Sequence, residues 1–496
     1  MGLMRFLVHD RHVLGGDGAL ARVYMSGLEE IPWRCRVAWD NGLLVIEREE
    51  SDSGNVHVPW PCGASGLMML TTACLMERER PYLLEVELAR GTLNTIRNQI
   101  ATWRQMGLIL STALDEQLAA SGRRFAQAAT CQHEPATAAA HAGEAIALAV
   151  QVGRELGVTY TQQALGVRRQ QTPKLTTLLA TNLGSRSFND SIAKSIVETF
   201  HTGVVPIGWR QLEIGEGRRD WTATDQQIQW CQRSGLKVCA GPLLQMDATG
   251  IPDWIYLWEG DFDNLLTCML DHVRAVVGRY RGKVQLWQVA GRVNCGKFLG
   301  LSEEQRLRTV VRAVDAVREI DQRTPLVVCF DQPWGEYLAG QEMDLAPIHF
   351  ADALARSNLG LSGLGLEINS GYFPGGTLPH SMLDFSRHLD RWSTLGLPLM
   401  ITLTAPSSGA ADPHAALGVQ PLDRAAGEPP TPQSQSDWAA DFLPLMLSKN
   451  CVQVICWNQL RDAAPHDLPH GGLFDADDHP KPLLSTLRAL RRMYLS

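Results

Sequence analysis

The chain has 496 residues, a formal net charge of −8, 45% hydrophobic residues and 20% charged residues, which is typical of a globular protein with two or three domains. The acidic balance gives no reason to expect a nucleic-acid partner, which favours a basic face. No segment approaches the roughly 20 consecutive apolar residues of a membrane span, and the N-terminus lacks the apolar run of a signal peptide, so we predict a cytoplasmic protein without a membrane partner.

Residues 1–88 alternate short apolar runs with turn signals. The Asn41-Gly42 dipeptide between two apolar runs indicates a two-residue hairpin. The predicted strands are 5–8, 21–24, 34–37, 43–46, 56–58, 67–71 and 82–86. Seven short strands at this spacing favour a small β-sandwich. In size and position it is similar to a carbohydrate-binding module.

Residues 89–172 change to helical periodicity. Leu93, Ile96, Ile100 and Trp103 recur every three or four residues and so share one helical face. A second, alanine-rich helical stretch follows, and the intervening residues 120–140 are polar and loop-like. We predict a helical hairpin whose apolar stripe packs on the rest of the chain. An interface between copies of a homo-oligomer is the alternative.

Residues 173–496 alternate apolar strand-like runs with amphipathic helical stretches. Eight such runs occur, at 176–180, 203–207, 237–240, 284–289, 326–330, 364–368, 399–402 and 452–457. Eight β/α units predict an α/β fold, the TIM (β/α)8 barrel, preceded by the sandwich and the hairpin. A loop rich in Pro, Ala, Ser and Gly at 405–436 follows the seventh run, on the face where such barrels build their sites.

Several short motifs in the last three-fifths of the chain occur in a recognisable order. They are Trp209 with Glu213, Gly217, Asp220-Trp221 and Asp225; Pro252-Asp253-Trp254; residues 279–283 with Trp287; residues 363–367; and Trp457 with Asp462, residues 473–475 and Lys481-Pro482. In this order and spacing, residues 185–496 resemble the family 10 glycoside hydrolases, the retaining endo-xylanases. The resemblance implies a barrel that binds a polysaccharide or oligosaccharide.

The two positions that the resemblance assigns to catalytic glutamates hold other residues. They hold Arg292 after the fourth strand and Leu403 after the seventh. A retaining glycosidase needs two carboxyl groups about 5 Å apart. Arginine stays protonated and leucine has no titratable group. We therefore expect no retaining hydrolysis of the family 10 type.

Other polar side chains follow the predicted strands, where barrel sites are built. As ligand-binding candidates we single out Arg292, Asn294, Asn369 and Asp462. Glu367 has three interpretations: a salt bridge to Arg292, an acceptor for sugar hydroxyls, or a relocated catalytic acid. The same three interpretations apply to Asp331. If the catalytic carboxyl groups are relocated, Asp331 would be the partner of Glu367.

Tryptophans near the strand ends are candidates for stacking on pyranose rings. Trp334 and Trp457 are the strongest, although packing in the core explains many tryptophans equally well. For Trp33, Trp39 and Trp60 of the sandwich, core packing is favoured. The segment 466–479 contains residue types that bind metals, but its resemblance to a barrel-closing turn is the simpler explanation. We predict no metal and no cofactor.

Three functions remain open on the sequence. The favoured one is a non-catalytic glycan-binding or scaffold protein. The second is an active carbohydrate hydrolase that uses Glu367 and Asp331. The third is a self-assembling structural subunit that associates through residues 89–172.

Overall fold

The N-terminal part of the chain is a sandwich of two four-stranded sheets. The computed structural model describes residues 2–15, 17–49, 51–295, 298–416, 418–424 and 428–496. The strands are β1 Gly2–Leu7, β2 Tyr24–Ser26, β3 Pro32–Trp33, β4 Cys35–Asp40, β5 Leu43–Arg48, β6 Asn55–Pro61, β7 Leu67–Thr71 and β8 Tyr82–Leu83. One sheet has the order β4-β5-β1-β8 and the other β3-β2-β6-β7. The predicted sandwich is therefore present.

The sequence determines this sandwich through a turn and an alternating pattern. Asn41 and Gly42 both have positive φ, 47° and 88°, as a tight turn between twisted strands requires. Strand β1 alternates buried and half-buried side chains. Phe6, Ile46 and Val58 are fully buried in one core. The predicted core tryptophan Trp60 packs in the same core.

Three helices, not a two-helix hairpin, connect the sandwich to the barrel. They are α1 Leu84–Gln105, α2 Thr112–Thr130 and α3 Pro135–Gln171. The stretch 120–140, predicted as a loop, is mostly helical, because small alanines let α2 lie close to α3. The apolar stripe predicted on α1 is buried against α3 and against Leu383 of the barrel. The stripe therefore packs on the chain itself, as favoured from the sequence.

The remaining chain is a closed eight-stranded parallel barrel. Its strands are β9 Leu178–Asn182, β10 Thr202–Val205, β11 Lys237–Ala240, β12 Leu286–Gly291, β13 Leu326–Asp331, β14 Gly363–Asn369, β15 Leu399–Thr404 and β16 Val452–Trp457. Parallel pairing of β16 with β9 and of β11 with β12 closes the ring. All eight predicted strands are confirmed.

A helix follows each barrel strand and covers it from outside. These helices are α4 Asp190–Thr199, α5 Thr222–Arg233, α6 Phe262–Tyr280, α7 Glu303–Ile320, α8 Pro347–Arg356, α9 Met382–Ser393, α10 Pro432–Ser448 and α11 Pro482–Tyr494. Short additional elements are Arg11–Leu14, Asp17–Leu20, Gly63–Ser65, Trp209–Leu212, Glu213–Gly215, Arg218–Arg219, Leu244–Gln245, Asp253–Trp258, Glu336–Ala339, Tyr372–Phe373 and Gln420–Pro421. In the described part of the chain, no helix has both the length and the apolar character needed to cross a membrane.

Strand alternation decides which side chains face the inside of the barrel. Cys329, Met400 and Cys456 belong to one small apolar cluster in the barrel interior. Counting by two from them, Asp331, Thr402 and Asn458 also face inward at the carboxyl ends of their strands. Leu403 and Trp457 each follow an inward-facing residue by one position, so their side chains point outward. They belong to the outer core, between the barrel and its helices.

Candidate functional site

Arg292 is the centre of the barrel mouth. It follows β12 directly and has a positive φ of 55°, a conformation that non-glycine residues rarely adopt. Its guanidinium lies 2.7 Å from the Asp247 carboxylate, 2.8 Å from Asp467, 3.0 Å from Glu367 and 3.8 Å from Asp331. The salt bridge predicted between Arg292 and Glu367 is therefore present. We call Arg292 with these four carboxylates the mouth cluster.

Amide side chains hold the mouth cluster in place. Asn369 Nδ2 donates to Glu367 Oε1 at 3.0 Å and lies 3.4 Å from Asp331 Oδ1. Asn458 Nδ2 donates to the same Glu367 oxygen at 3.2 Å. Asn294 joins the loops after β12 and β13, because its Nδ2 donates to the Asp331 carbonyl and its Oδ1 accepts from the Asp331 amide. Asn294 and Asn369 are thus positioned as predicted, but both are buried supports.

The electrostatics of the cluster keep Arg292 charged. Burial alone would lower the pKa of Arg292, but the surrounding carboxylates outweigh burial and raise it well above its ordinary value. Burial likewise opposes ionisation of Asp247, yet Arg292 and the Thr249 hydroxyl hold its pKa below the usual value. For Asp331, burial and the neighbouring Glu367 dominate, and its pKa is raised well above normal despite Arg292.

Asp331 and Glu367 do not face each other across an open groove. They are paired neighbours on adjacent strands, and both contact Arg292. Their side chains are only 7% and 12% exposed. Arg292 opposes the rise in the pKa of Asp331, but burial and Glu367 outweigh it. The pair nevertheless lies beneath a permanent cation.

Leu403, the second position that the resemblance assigns to a glutamate, does not face the barrel mouth. Its side chain is fully buried in the outer core rather than facing the barrel mouth. The inward-facing residues at this end of β15 are Thr402 and Thr404, because side chains alternate along a strand. Neither carries a carboxyl group. The expectation that β15 supplies no nucleophilic carboxylate therefore depends on these threonines and not on Leu403 alone.

Neither tryptophan predicted as a sugar platform offers a free ring face. The imidazoles of His380 and His388 stack on Trp334 at 4.3 Å and 3.8 Å, both nearly parallel to it. Two parallel rings so close to one centroid cannot fit on the same face, so they sandwich the indole. Trp457 is 1% exposed and donates to the Gly471 carbonyl at 2.9 Å. Both predictions are corrected, because the rings are packing elements.

Asp462 is also structural rather than ligand-binding. Its carboxylate lies 2.5 Å from Lys481 Nζ and accepts from the Gly472 amide at 2.7 Å. Both side chains of the ion pair are about 5% exposed or less. Burial lowers the pKa of Lys481, and Asp462 opposes that shift. The ion pair fastens the last barrel loop to the start of α11.

Three residues near the end of the segment 466–479, one half-buried and two exposed, bring metal-binding atoms together. One ligand atom each of Asp475, Asp477 and His479 lies within 4.8 Å of the others. Such acidic surface groups are common without an ion, and we assign no metal to them.

A pocket of about 350 Å³ remains open beside the mouth cluster. It lies at the carboxyl ends of β9, β10, β11, β15 and β16, and Asp467 of the cluster forms part of its wall. Most of its other polar lining is amide or hydroxyl: Asn182, Ser185, Gln211, Thr224, Gln227, Gln245, Thr249, Thr404, Asn458 and Gln459. Four ionisable side chains also line it: Arg186, Asp220, Arg461 and His466. Among the described lining residues, none is Trp, Tyr or Phe. We call it the mouth pocket.

Sequence reasoning missed two carboxylates of the mouth cluster and most residues of the mouth pocket. Asp247 and Asp467 lie in loops after β11 and β16, and no periodic pattern indicates that they converge on one arginine. Gln211 lies in a helical turn that the sequence does not distinguish from other polar loops. The available signal was the isolated polar position Glu367 within an apolar strand, which did identify one carboxylate of the mouth cluster and its partner Arg292.

Comparison with known proteins agrees with the predicted resemblance. The sequence model of Glycosyl hydrolase family 10 matches residues 174–294. Endo-1,4-beta-xylanase 3 of Hypocrea jecorina is 25% identical over 287 residues, which are 56% of this chain and 71% of that enzyme. Beta-1,4-xylanase of Dictyoglomus thermophilum is 33% identical over 70 residues, or 14% of this chain and 19% of that enzyme.

Solved structures include xylanase 10B of Thermotoga maritima, which is 17% identical, covers 65% of this chain and 97% of its own, and superposes with a TM-score of 0.49. The sequence matches confirm that residues 174–294 are similar to the family 10 glycoside hydrolases.

Proposed function

We propose that this chain, whose barrel is similar to the family 10 glycoside hydrolases, is a non-hydrolytic glycan-binding protein. The observation that carries the proposal is Arg292, which takes the place after the fourth strand where the resemblance calls for an acid/base carboxyl. Four carboxylates surround it, so it cannot leave the site without leaving them unpaired. Thr402 and Thr404, which face inward at the end of β15, supply no carboxylate nucleophile.

Amides and hydroxyls predominate in the mouth pocket, and Arg186 and Arg461 are matched in number by Asp220 and Asp467, which suits a neutral sugar. Amide and hydroxyl groups can both donate to and accept from sugar hydroxyls. The volume of about 350 Å³ is at the lower end of ordinary ligand pockets, which suits one or two sugar rings. The named relatives are xylanases, so xylo-oligosaccharides are the first ligands to test.

An active hydrolase with relocated carboxylates is the second candidate. It is favoured by the raised pKa of Asp331 next to Glu367, because a glycosidase needs one protonated and one ionised carboxyl. Against it, both carboxylates are buried and Arg292 contacts both. Self-association through residues 89–172, the cytoplasmic location and the division into units 1–88, 89–172 and 173–496 remain predictions.

A substitution in the mouth pocket tests the binding role. Gln211 is exposed and lines the pocket, so we expect Gln211→Ala to weaken xylohexaose binding about two- to tenfold, the effect of one neutral hydrogen bond. Isothermal titration calorimetry on the full chain measures it. Gln232→Ala, at an exposed helical glutamine outside the pocket, is the matched control. Equal affinities of the two variants would contradict the assignment of the pocket.

A further inference from the structure

A second and larger groove lies where the sandwich, the connecting helices and the barrel meet. Its volume is about 1220 Å³, more than three times that of the mouth pocket. The sandwich contributes β7, the connecting helices contribute α1 and α3, and the barrel contributes the start of α9 and one face of α10. A groove of this size exceeds ordinary pockets for a single small molecule and suits a chain-like ligand.

The groove contains an aromatic ring that is not enclosed by the core. Trp438 of α10 is half-buried and lines the groove. Phe442, one helical turn later, stacks on it with a centroid distance of 4.9 Å and an interplanar angle of 20°. In contrast to Trp334, no second ring stacks on Trp438 among the described residues. The indole is thus supported on one side and available to the groove.

Next to this ring lies a buried acceptor without a partner. Gln435 lines the groove one turn before Trp438 and is 1% exposed. Its Nε2 donates to the Ala405 carbonyl at 2.7 Å, which fixes the orientation of the amide. Its Oε1 has no hydrogen-bond partner among the described residues. A buried acceptor left unpaired is costly, so it points to a ligand that brings a donor.

The charged residues of the groove restrict the ligand further. The carboxylates along it are Glu155, Asp384, Asp423, Asp437 and Asp441, and the guanidiniums are Arg154 and Arg424. Arg154 is already paired with Asp441 through contacts of 3.0 Å and 3.2 Å. Acidic groups therefore predominate. They can accept from hydroxyls but repel an anionic chain.

We propose that this groove is a second glycan-binding site, which takes a neutral oligosaccharide chain with one sugar ring stacked on Trp438. Stacking on a sugar ring accounts for the half-buried indole that lines the groove, and sugar hydroxyls provide the donor that Gln435 Oε1 lacks. The acidic lining excludes uronic-acid chains. The site is separate from the mouth pocket and goes beyond the function proposed for it.

The test titrates the full chain with xylohexaose and cellohexaose by calorimetry. We expect Trp438→Ala to weaken one binding event at least tenfold, while Trp438→Phe retains most of the affinity because it keeps an aromatic face. Trp230→Ala is the matched control, since Trp230 is also half-buried and packs on a phenylalanine at 4.9 Å, but outside the groove. An oligogalacturonate of equal length should bind more weakly than the neutral chains.

One variant in each site distinguishes binding in the mouth pocket from binding in the groove. Gln211→Ala should leave the event that depends on Trp438 unchanged, and Trp438→Ala should leave the mouth event unchanged. If Gln211→Ala weakens only the binding event in the mouth pocket, the result tests the mouth pocket and leaves the groove proposal unaffected. The groove proposal is overturned if Trp438→Ala binds both neutral hexasaccharides as Trp230→Ala does, or if neither hexasaccharide binds the Gln211→Ala protein.

Discussion

Replacing Arg292 by methionine is expected to destabilise the protein by about 3 to 5 kcal/mol, the range for breaking a buried ion pair from one side. The substitution removes the cation and leaves the carboxylates of Asp247, Glu367 and Asp467 close together. Chemical denaturation of the purified variant and of the unmodified protein measures the difference in the free energy of unfolding.

The pH dependence of this loss follows from Asp247. Its folded pKa lies below the unfolded value, so its stabilisation is present above that value and is lost as the pH falls through the folded pKa. The loss caused by Arg292→Met should therefore persist from pH 7 down to about pH 4 and shrink only as the pH falls below the unfolded value of 3.8. Asp331, whose pKa is raised, changes in the opposite direction and stabilises the fold at low pH.

An exposed arginine provides the control for Arg292. Arg274 is 40% exposed, and its guanidinium lies 3.4 Å from Glu319. Arg274→Met should cost less than about 1 kcal/mol, as surface pairs usually do. If the two variants lose equal stability, Arg292 is not the hub of a buried cluster.

Replacing Gly91 by alanine is expected to destabilise the protein by about 3 kcal/mol, at the upper end of the range for overpacking. Gly91 lies inside α1, where alanine would normally stabilise the helix. Here an added Cβ would collide with the backbone of Thr71 and Thr72 at the end of β7. Backbone cannot rotate away as a side chain can, so helix and sheet must separate.

Gly143 is the matched control for Gly91. It lies in α3, is exposed, and an added Cβ would meet nothing within 4 Å. Gly143→Ala should stabilise the protein by roughly 0.5 to 1 kcal/mol, the usual difference in helix propensity. Thermal unfolding of the two variants should therefore shift in opposite directions. A shift in the same direction would show that α1 does not lie against the sandwich at Gly91.

The barrel could be predicted from the sequence because strand and helix periods are local signals. The pairing of Arg292 with Glu367 was also accessible, since one charged residue in an apolar strand must find a partner at the strand ends. The sequence did not show which way the side chains of Leu403 and Trp457 point. A shift of one residue in strand register moves a side chain from the inside of a barrel to its outer face. The convergence of Asp247 and Asp467 depends on loops, whose paths no periodic pattern encodes.

The central claim is that the barrel mouth binds sugars without cleaving them, and turnover measures it most directly. Xylan, an aryl-xyloside and a library of other glycans would be incubated with the full chain, and reducing ends or the aryl alcohol would be counted against a buffer blank. The account predicts no release above the blank. Release that disappears in Glu367→Gln, with folding intact, would contradict it and establish the relocated carboxylate pair instead.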